Sequence, residues 1–310
     1  MVRDPREVLT RAAPPPRLTV AYGDLPDQVA DVWLPDVPEL LAGNSGNPDG
    51  GEGYSGTSGN APLVVVVHGG FWRAEYDRTH TRPQCAGLAA AGYAVAAIEY
   101  RRIGAGGGWS ETFDDVAQAL DTVPGLVAAA TAGGPVEVDV SRIVHVGHSA
   151  GAHLAVWAAS QHRLPPGSRW ATPAGGRARP GGGVPPAGVV PPAGVVSLAG
   201  VLDLTAAAEL ELDDGAALEL LDGDPTTQPE RYAVADPMRL VPPAIPVVLL
   251  HGRDDRQVPP DLSRRYAAAA GPRATLREMP GVEHFGLIDP ESAAWPAVLD
   301  AVATLLEPHP

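Results

Sequence analysis

Gly147-His148-Ser149-Ala150-Gly151 follows an apolar β-branched run at 143–146 and opens an apolar helical stretch at 151–161. A strand, then G-x-S-x-G, then a helix makes a tight, strained turn. That turn lifts the serine hydroxyl above the sheet, and the two glycines leave room for neighbouring backbone. So placed, Ser149 could attack a carbonyl carbon, but a serine hydroxyl is a poor nucleophile without a base and a group to orient that base. In a chain with 36 glycines the short motif also arises by chance, so the flanking strand and helix carry the reading.

Upstream, a valine run ends in His68-Gly69-Gly70-Phe71-Trp72. A glycine-rich turn at a strand end lets a substrate carbonyl approach the main chain, where N–H groups can stabilise an oxyanion. The expected donors are the amides of Gly70 or Phe71 together with Ala150. The plainer alternative is an ordinary turn whose aromatics pack in a core. Downstream, the run at 247–250 leads into His251-Gly252-Arg253-Asp254-Asp255, and a further strand at 274–279 leads into Gly281-Val282-Glu283-His284-Phe285. His284 is the expected base. Asp254 and Asp255 are adjacent, so only one of them can face it, and Asp203 follows the run at 195–198 as a third carboxylate. Glu283 reads as a surface neighbour of the base. His68 and His251 precede glycines at strand ends and read as loop organisers. No pair of histidines has the spacing of a metal site, so no metal is expected.

These residues need elements to hold them. Apolar runs at 63–67, 93–98, 143–146, 195–198 and 247–250 alternate with helical stretches near 80–91, 112–130, 151–161, 261–270 and 292–306. Continuous apolar strands separated by helices imply a parallel sheet covered on both faces. Residues 18–22 and 28–34 alternate instead, suggesting an antiparallel hairpin at the sheet edge. Residues 42–60 and 165–195 are rich in Gly, Pro, Ser or Asn and read as loops outside the packed core. Between 204 and 240, two acidic helical pieces (206–212 and 216–221) precede a proline-containing run. This segment could cap the carboxyl edge of the sheet.

Composition removes whole classes of function. The formal charge of −15 argues against a nucleic-acid partner. The sequence contains no lysine, which excludes a Schiff base, a Ser–Lys dyad and a phosphate-loop lysine. Cys85 is the single cysteine and falls on the apolar side of a helical stretch, where a buried structural role is expected. No G-x-G-x-x-G opens a helix after the first strand, against a dehydrogenase. Residues 1–16 lack the apolar core of a signal peptide and no stretch approaches a membrane span, so the expectation is a cytoplasmic protein without membrane partners. A homodimer is left open.

From about residue 60 to 306 the pattern resembles the α/β-hydrolase superfamily of serine hydrolases. Within it, the chain is similar to small microbial esterases and to arylformamidases, the kynurenine formamidases. The latter carry H-G-G-x-W as oxyanion element, matched by His68-Gly69-Gly70-Phe71-Trp72. Glu99-Tyr100-Arg101-Arg102, Gly108-Trp109 and Asp289-Pro290 with Trp295 match further. The segment from His251 to Pro259 looks like the H-G-x-x-D-x-x-V-P element, whose aspartate falls on Asp255. Asp254 and Asp203 remain alternatives, because some members place the acid one strand earlier. The chain order Ser, acid, His also fits this fold.

The resemblance implies an α/β fold with a mostly parallel central sheet, helices on both faces and a small helical cap. It implies a Ser149–His284–Asp255 triad cleaving a small carboxylic ester through an acyl-enzyme, with an N-formyl amide as the alternative substrate and no cofactor. Tyr100 and Arg101 would support the active-site loops. Phe71, Trp72 and Trp109 could wall the substrate pocket, with His148 beside it. A non-catalytic binding protein on the same fold is the reading from another class.

Overall fold

The computed structural model describes residues 4–36, 59–171 and 190–307. Eight strands form one sheet in the order β1-β2-β4-β3-β5-β6-β7-β8. The strands are β1 (Leu18–Ala21), β2 (Val29–Trp33), β3 (Gly59–Val67), β4 (Ala94–Ile98), β5 (Val136–His148), β6 (Gly194–Leu198), β7 (Val247–Gly252) and β8 (Ala274–Met279). β1 pairs antiparallel with β2, and β2 antiparallel with β4; every other pairing is parallel.

Two cores explain why the central strands are continuously apolar. Leu63, Val65 and Val67 of β3 face one cluster, which includes Phe113 and Val116 of α2 (Glu111–Thr131), Leu154 and Trp157 of α3 (Ala150–Ala159) and Tyr266 of α7 (Asp261–Ala270). Val64 and Val66 face the other, with Cys85 and Leu88 of α1 (Arg82–Ala90) and Val298 and Val302 of α8 (Trp295–Leu306). Side chains alternate along a strand, so a strand covered on both faces needs apolar residues at every position.

β3 and β5 are both longer than their apolar runs. Their register jumps from Pro62↔Asp139 to Leu63↔Ile143, which leaves residues 140–142 of β5 unpaired. Proline has no N–H for the ladder, so an irregularity there is expected. Residues 59 and 60, read as loop, are the start of β3, and Gly194 opens β6. The rest of 42–60, and 172–189 of the second loop, lie outside the described residues. Residues 165–171 are turn and irregular backbone, as read, but not wholly outside the core: Trp170 is buried among Trp157, Phe113 and Trp109 and donates from Nε1 to Asp114 Oδ1 at 2.8 Å.

The segment after β6 forms three short helices: α4 (Leu204–Glu209), α5 (Leu212–Leu220) and α6 (Pro229–Ala235). α6 falls in the stretch read only as a proline-containing run. Pro229 occupies the first turn, where its missing N–H costs nothing and its fixed φ favours the helix. This cap packs on α3, with Trp157 Nε1 donating to the Val234 carbonyl at 2.8 Å and His153 Nε2 meeting the Ala235 carbonyl at 2.9 Å. Among the described residues, no helix is long and apolar enough to cross a membrane.

Candidate active site

Ser149 sits between β5 and α3 with φ 55° and ψ −120°. Only tight packing keeps such a conformation, and the two glycines show how tight it is. A Cβ on Gly147 would lie 2.4 Å from the Gly151 carbonyl oxygen, and one on Gly151 would lie 2.1 Å from that of Val67. The turn is tied to β6 by the Ser149 amide donating to the Leu198 carbonyl at 2.8 Å. The Ser149 hydroxyl is buried and, among the described residues, has no hydrogen-bond partner. An unpaired buried polar group costs about 1–3 kcal/mol, and such groups call for a functional or strain-based explanation.

The histidine and the carboxylate come from neighbouring loops. β7 ends at Gly252, where a Cβ would lie 2.2 Å from the Val282 carbonyl oxygen, so the loops after β7 and β8 touch backbone to backbone. Across that contact His284 Nδ1 lies 2.7 Å from Asp255 Oδ2. A carboxylate accepts only, so the proton sits on Nδ1 and Nε2 is left as the basic nitrogen. Asp255 Oδ1 accepts from the amides of Gln257 and Val258 at 2.8 and 2.9 Å, and His251 Nε2 stands 3.2 Å from Oδ2. Burial would raise the Asp255 pKa, but the hydrogen bonds from His251 and His284 and the Val258 amide outweigh it. They hold the carboxyl well below its ordinary range.

The other two carboxylates lie in other surroundings. Asp254 is exposed, and Asp203 caps α4 through the Ala206 amide and pairs with Arg265. Glu283 is a cap too, accepting from the amides of Phe285 and Gly286 at the start of a short 3-10 turn, His284–Ile288.

On the other flank, Gly70, Phe71 and Trp72 hold positive φ angles of 109°, 48° and 60°. The amides of Gly70 and Phe71 donate to no acceptor among the described residues. Ala150 is the first residue of α3, so its amide has no intrahelical acceptor. Gly69 is needed here because a Cβ would lie 3.0 Å from Ser149 Cβ. Behind this turn lies a buried polar network. His68 Nε2 meets Glu99 Oε1 at 2.7 Å, the Tyr100 hydroxyl donates to the His68 carbonyl at 2.8 Å, and Arg102 Nη1 lies 3.1 Å from Glu99 Oε1. Arg101 grips Asp115 through Nε and Nη2 at 2.7 and 2.8 Å. Tyr100 thus braces the loop from behind, while Arg101 ties the end of β4 to α2.

The three residues grouped with the substrate pocket in the sequence each have defined neighbours. His148 is buried and its Nε2 is spent on the His284 carbonyl at 3.1 Å, so it struts the His284 loop. Trp72 is buried, donating from Nε1 to His153 Nδ1 at 3.2 Å. Trp109 is half-buried against Phe113 and Trp170, with the Arg231 guanidinium 5.7 Å from its ring centre. The Cys85 thiol is buried and its pKa is pushed up to about 12, which leaves it inert.

Sequence reasoning missed the N-terminal arm. A 3-10 turn at Pro5–Leu9 buries Val8, sets Arg6 over the Phe285 ring at 5.7 Å, and lines one side of an open cavity of ≈ 390 Å³ whose lining includes Asp4, Arg6, Arg256, His284 and Phe285. The one signal available was Asp4-Pro5, a turn-initiating pair.

The sheet order, the crossover helices and the strand-end loops define the α/β-hydrolase fold. Residues 54–269 match the BD-FAE family, and the chain belongs to that family. Among solved structures, it is similar to esterase B of Lactobacillus rhamnosis HN001, at 17% identity and TM-score 0.68, covering 96% of this chain and 89% of that one. It is also similar to a truncated carbohydrate esterase from gut microbiota, at 20% identity and TM-score 0.66, covering 94% and 99%. A third, a bifunctional GH43-CE protein of Bacteroides eggerthii, has 19% identity and TM-score 0.63; 93% of this chain is covered, but it spans only 38% of that protein. At these identities the likeness is one of fold. No curated protein matches the sequence.

Proposed function

We propose that this protein is a serine hydrolase that cleaves a carboxylic ester of a small substrate. His284 Nε2 takes the proton from Ser149 Oγ as that oxygen bonds to the carbonyl carbon, and the developing oxyanion is held by the amides of Gly70 or Phe71 and Ala150. His284 then gives the proton to the leaving alkoxide as the C–O bond breaks. Water, deprotonated by His284, releases the acid from the acyl-enzyme. Asp255 keeps the imidazole in the required tautomer throughout.

The observation that carries this reading is the buried Ser149 hydroxyl, raised on left-handed backbone and left without a partner among the described residues. The match to the BD-FAE family and the esterases among the similar folds support the choice of ester. Turnover of p-nitrophenyl acetate tests it: Ser149→Ala should reduce kcat by at least about 10⁴-fold, and unchanged turnover would refute the reading. Assaying N-formylkynurenine beside short and long acyl esters separates an esterase from an arylformamidase.

A further inference from the structure

Arg73 follows the oxyanion turn directly, and its side chain reaches across to the cap. Nε donates to Asp213 Oδ2 at 3.0 Å, Nη2 donates to the Asp213 carbonyl at 3.0 Å, and Nη1 lies 2.6 Å from Glu219 Oε2. The backbone is strained at both ends of this link. Gly70, Phe71 and Trp72 form one run of left-handed residues, and Asp213, Asp214 and Gly215, at φ 50°, 54° and 81°, form another. Non-glycine residues persist in that region only where their surroundings over-determine them, and they concentrate at functional sites. The first run is closed by the Arg73 amide on the Gly70 carbonyl at 3.0 Å and by the Ile103 amide on the Trp72 carbonyl at 2.8 Å. The second is gripped by the Arg73 guanidinium.

We infer that Arg73 is a positioning residue, clamping α5 of the cap onto the oxyanion turn so that the Gly70 and Phe71 amides keep their aim during turnover. This rests on the hydrolase reading above. A plain surface ion pair is the competing account. The side chains of Arg73, Asp213 and Glu219 are 24%, 41% and 47% exposed, so their pairing adds little to global stability and is screened by salt. That separates the two roles: positioning moves turnover while the melting temperature stays nearly still.

The test breaks the clamp from each side, with Arg73→Gln and with Asp213→Asn plus Glu219→Gln, using p-nitrophenyl acetate and Ser149→Ala as reference. Each break should lower kcat about tenfold with KM little changed, a modest loss beside the roughly 10²-fold that misplacement by about 1 Å can cause. Melting temperatures should shift by no more than about 4 °C. Combining both breaks should cost no more than one alone, because they remove the same link. Raising salt to about 1 M should slow the wild type and leave Arg73→Gln indifferent. Full kcat in both variants, or additive losses, would overturn the clamp. If Ser149→Ala keeps turnover, the hydrolase reading itself falls; if it is dead and Arg73→Gln is fully active, the clamp alone falls.

Discussion

The carboxylate behind the turn at 68–72 and the carboxylate under the cap are equally hidden, each 1% exposed, yet they titrate on opposite sides of the ordinary range. Burial pushes both upward. Around Glu99 the charge and hydrogen bond of His68, the Arg102 guanidinium and the Arg78 amide outweigh burial and bring its pKa to about 2. Asp236 is held by the amides of Leu204 and Met238 and by Thr205, neutral donors, with the Arg239 guanidinium no nearer than 3.9 Å, while the neighbouring Asp203 carboxylate adds to burial and its pKa rises to about 6. Depth therefore does not decide ionisation; the charge of the partners does. The sheet-end loops are built on ionised groups with cationic or imidazole neighbours. The base of the cap is built on a carboxyl that resists ionising.

Asp255 belongs with Glu99, and removing its charge should have the largest effect. Asp255→Asn should cost about 10⁴-fold in kcat by leaving His284 in the wrong tautomer. Asp254→Asn should cost far less, and steady-state kinetics on one ester distinguishes them. The smaller effects are on stability and run in opposite directions with pH. Glu99 has a folded pKa below its ordinary 4.5, so its contribution is complete above about pH 4.5 and is lost as pH falls toward 2. Asp236 has a folded pKa above its ordinary 3.8, so its contribution is present below about pH 4 and is lost as pH rises through about 6. Melting curves of the wild type, Glu99→Gln and Asp236→Asn across this range should show each variant removing its own slope. A shared slope would break the comparison.

What could be read from the sequence followed the strength of local signals. The inner halves of β3 and β5 were legible because strands covered on both faces are apolar at every position. Residues 136–142 were not, since the alternation of Val136 and Val138 with half-buried neighbours is brief and gives way to the exposed Ser141 and Arg142. The proline run concealed α6, although Pro229 starts that helix rather than blocking it. The Ser149 turn and the two downstream loops were visible as motifs. The contact of Asp255 with His284 depends on a backbone approach at Gly252 that no local pattern encodes. His148 and Trp72 read as pocket residues because they are polar-tipped or aromatic and next to the motif; the internal partners of their ring nitrogens, the His284 carbonyl and His153, were not legible. The N-terminal arm, Arg73 and Asp236 act through residues far away in the chain, beyond any local pattern.

The central claim is that Ser149 is a nucleophile activated by His284, and a fluorophosphonate probe tests it most directly. After treatment, intact mass should rise by a single adduct, mapped to the tryptic peptide 143–163 that contains Ser149. Ser149→Ala should stay unlabelled and His284→Ala should label far more slowly. An unlabelled wild type, or an adduct on another residue, would contradict the account.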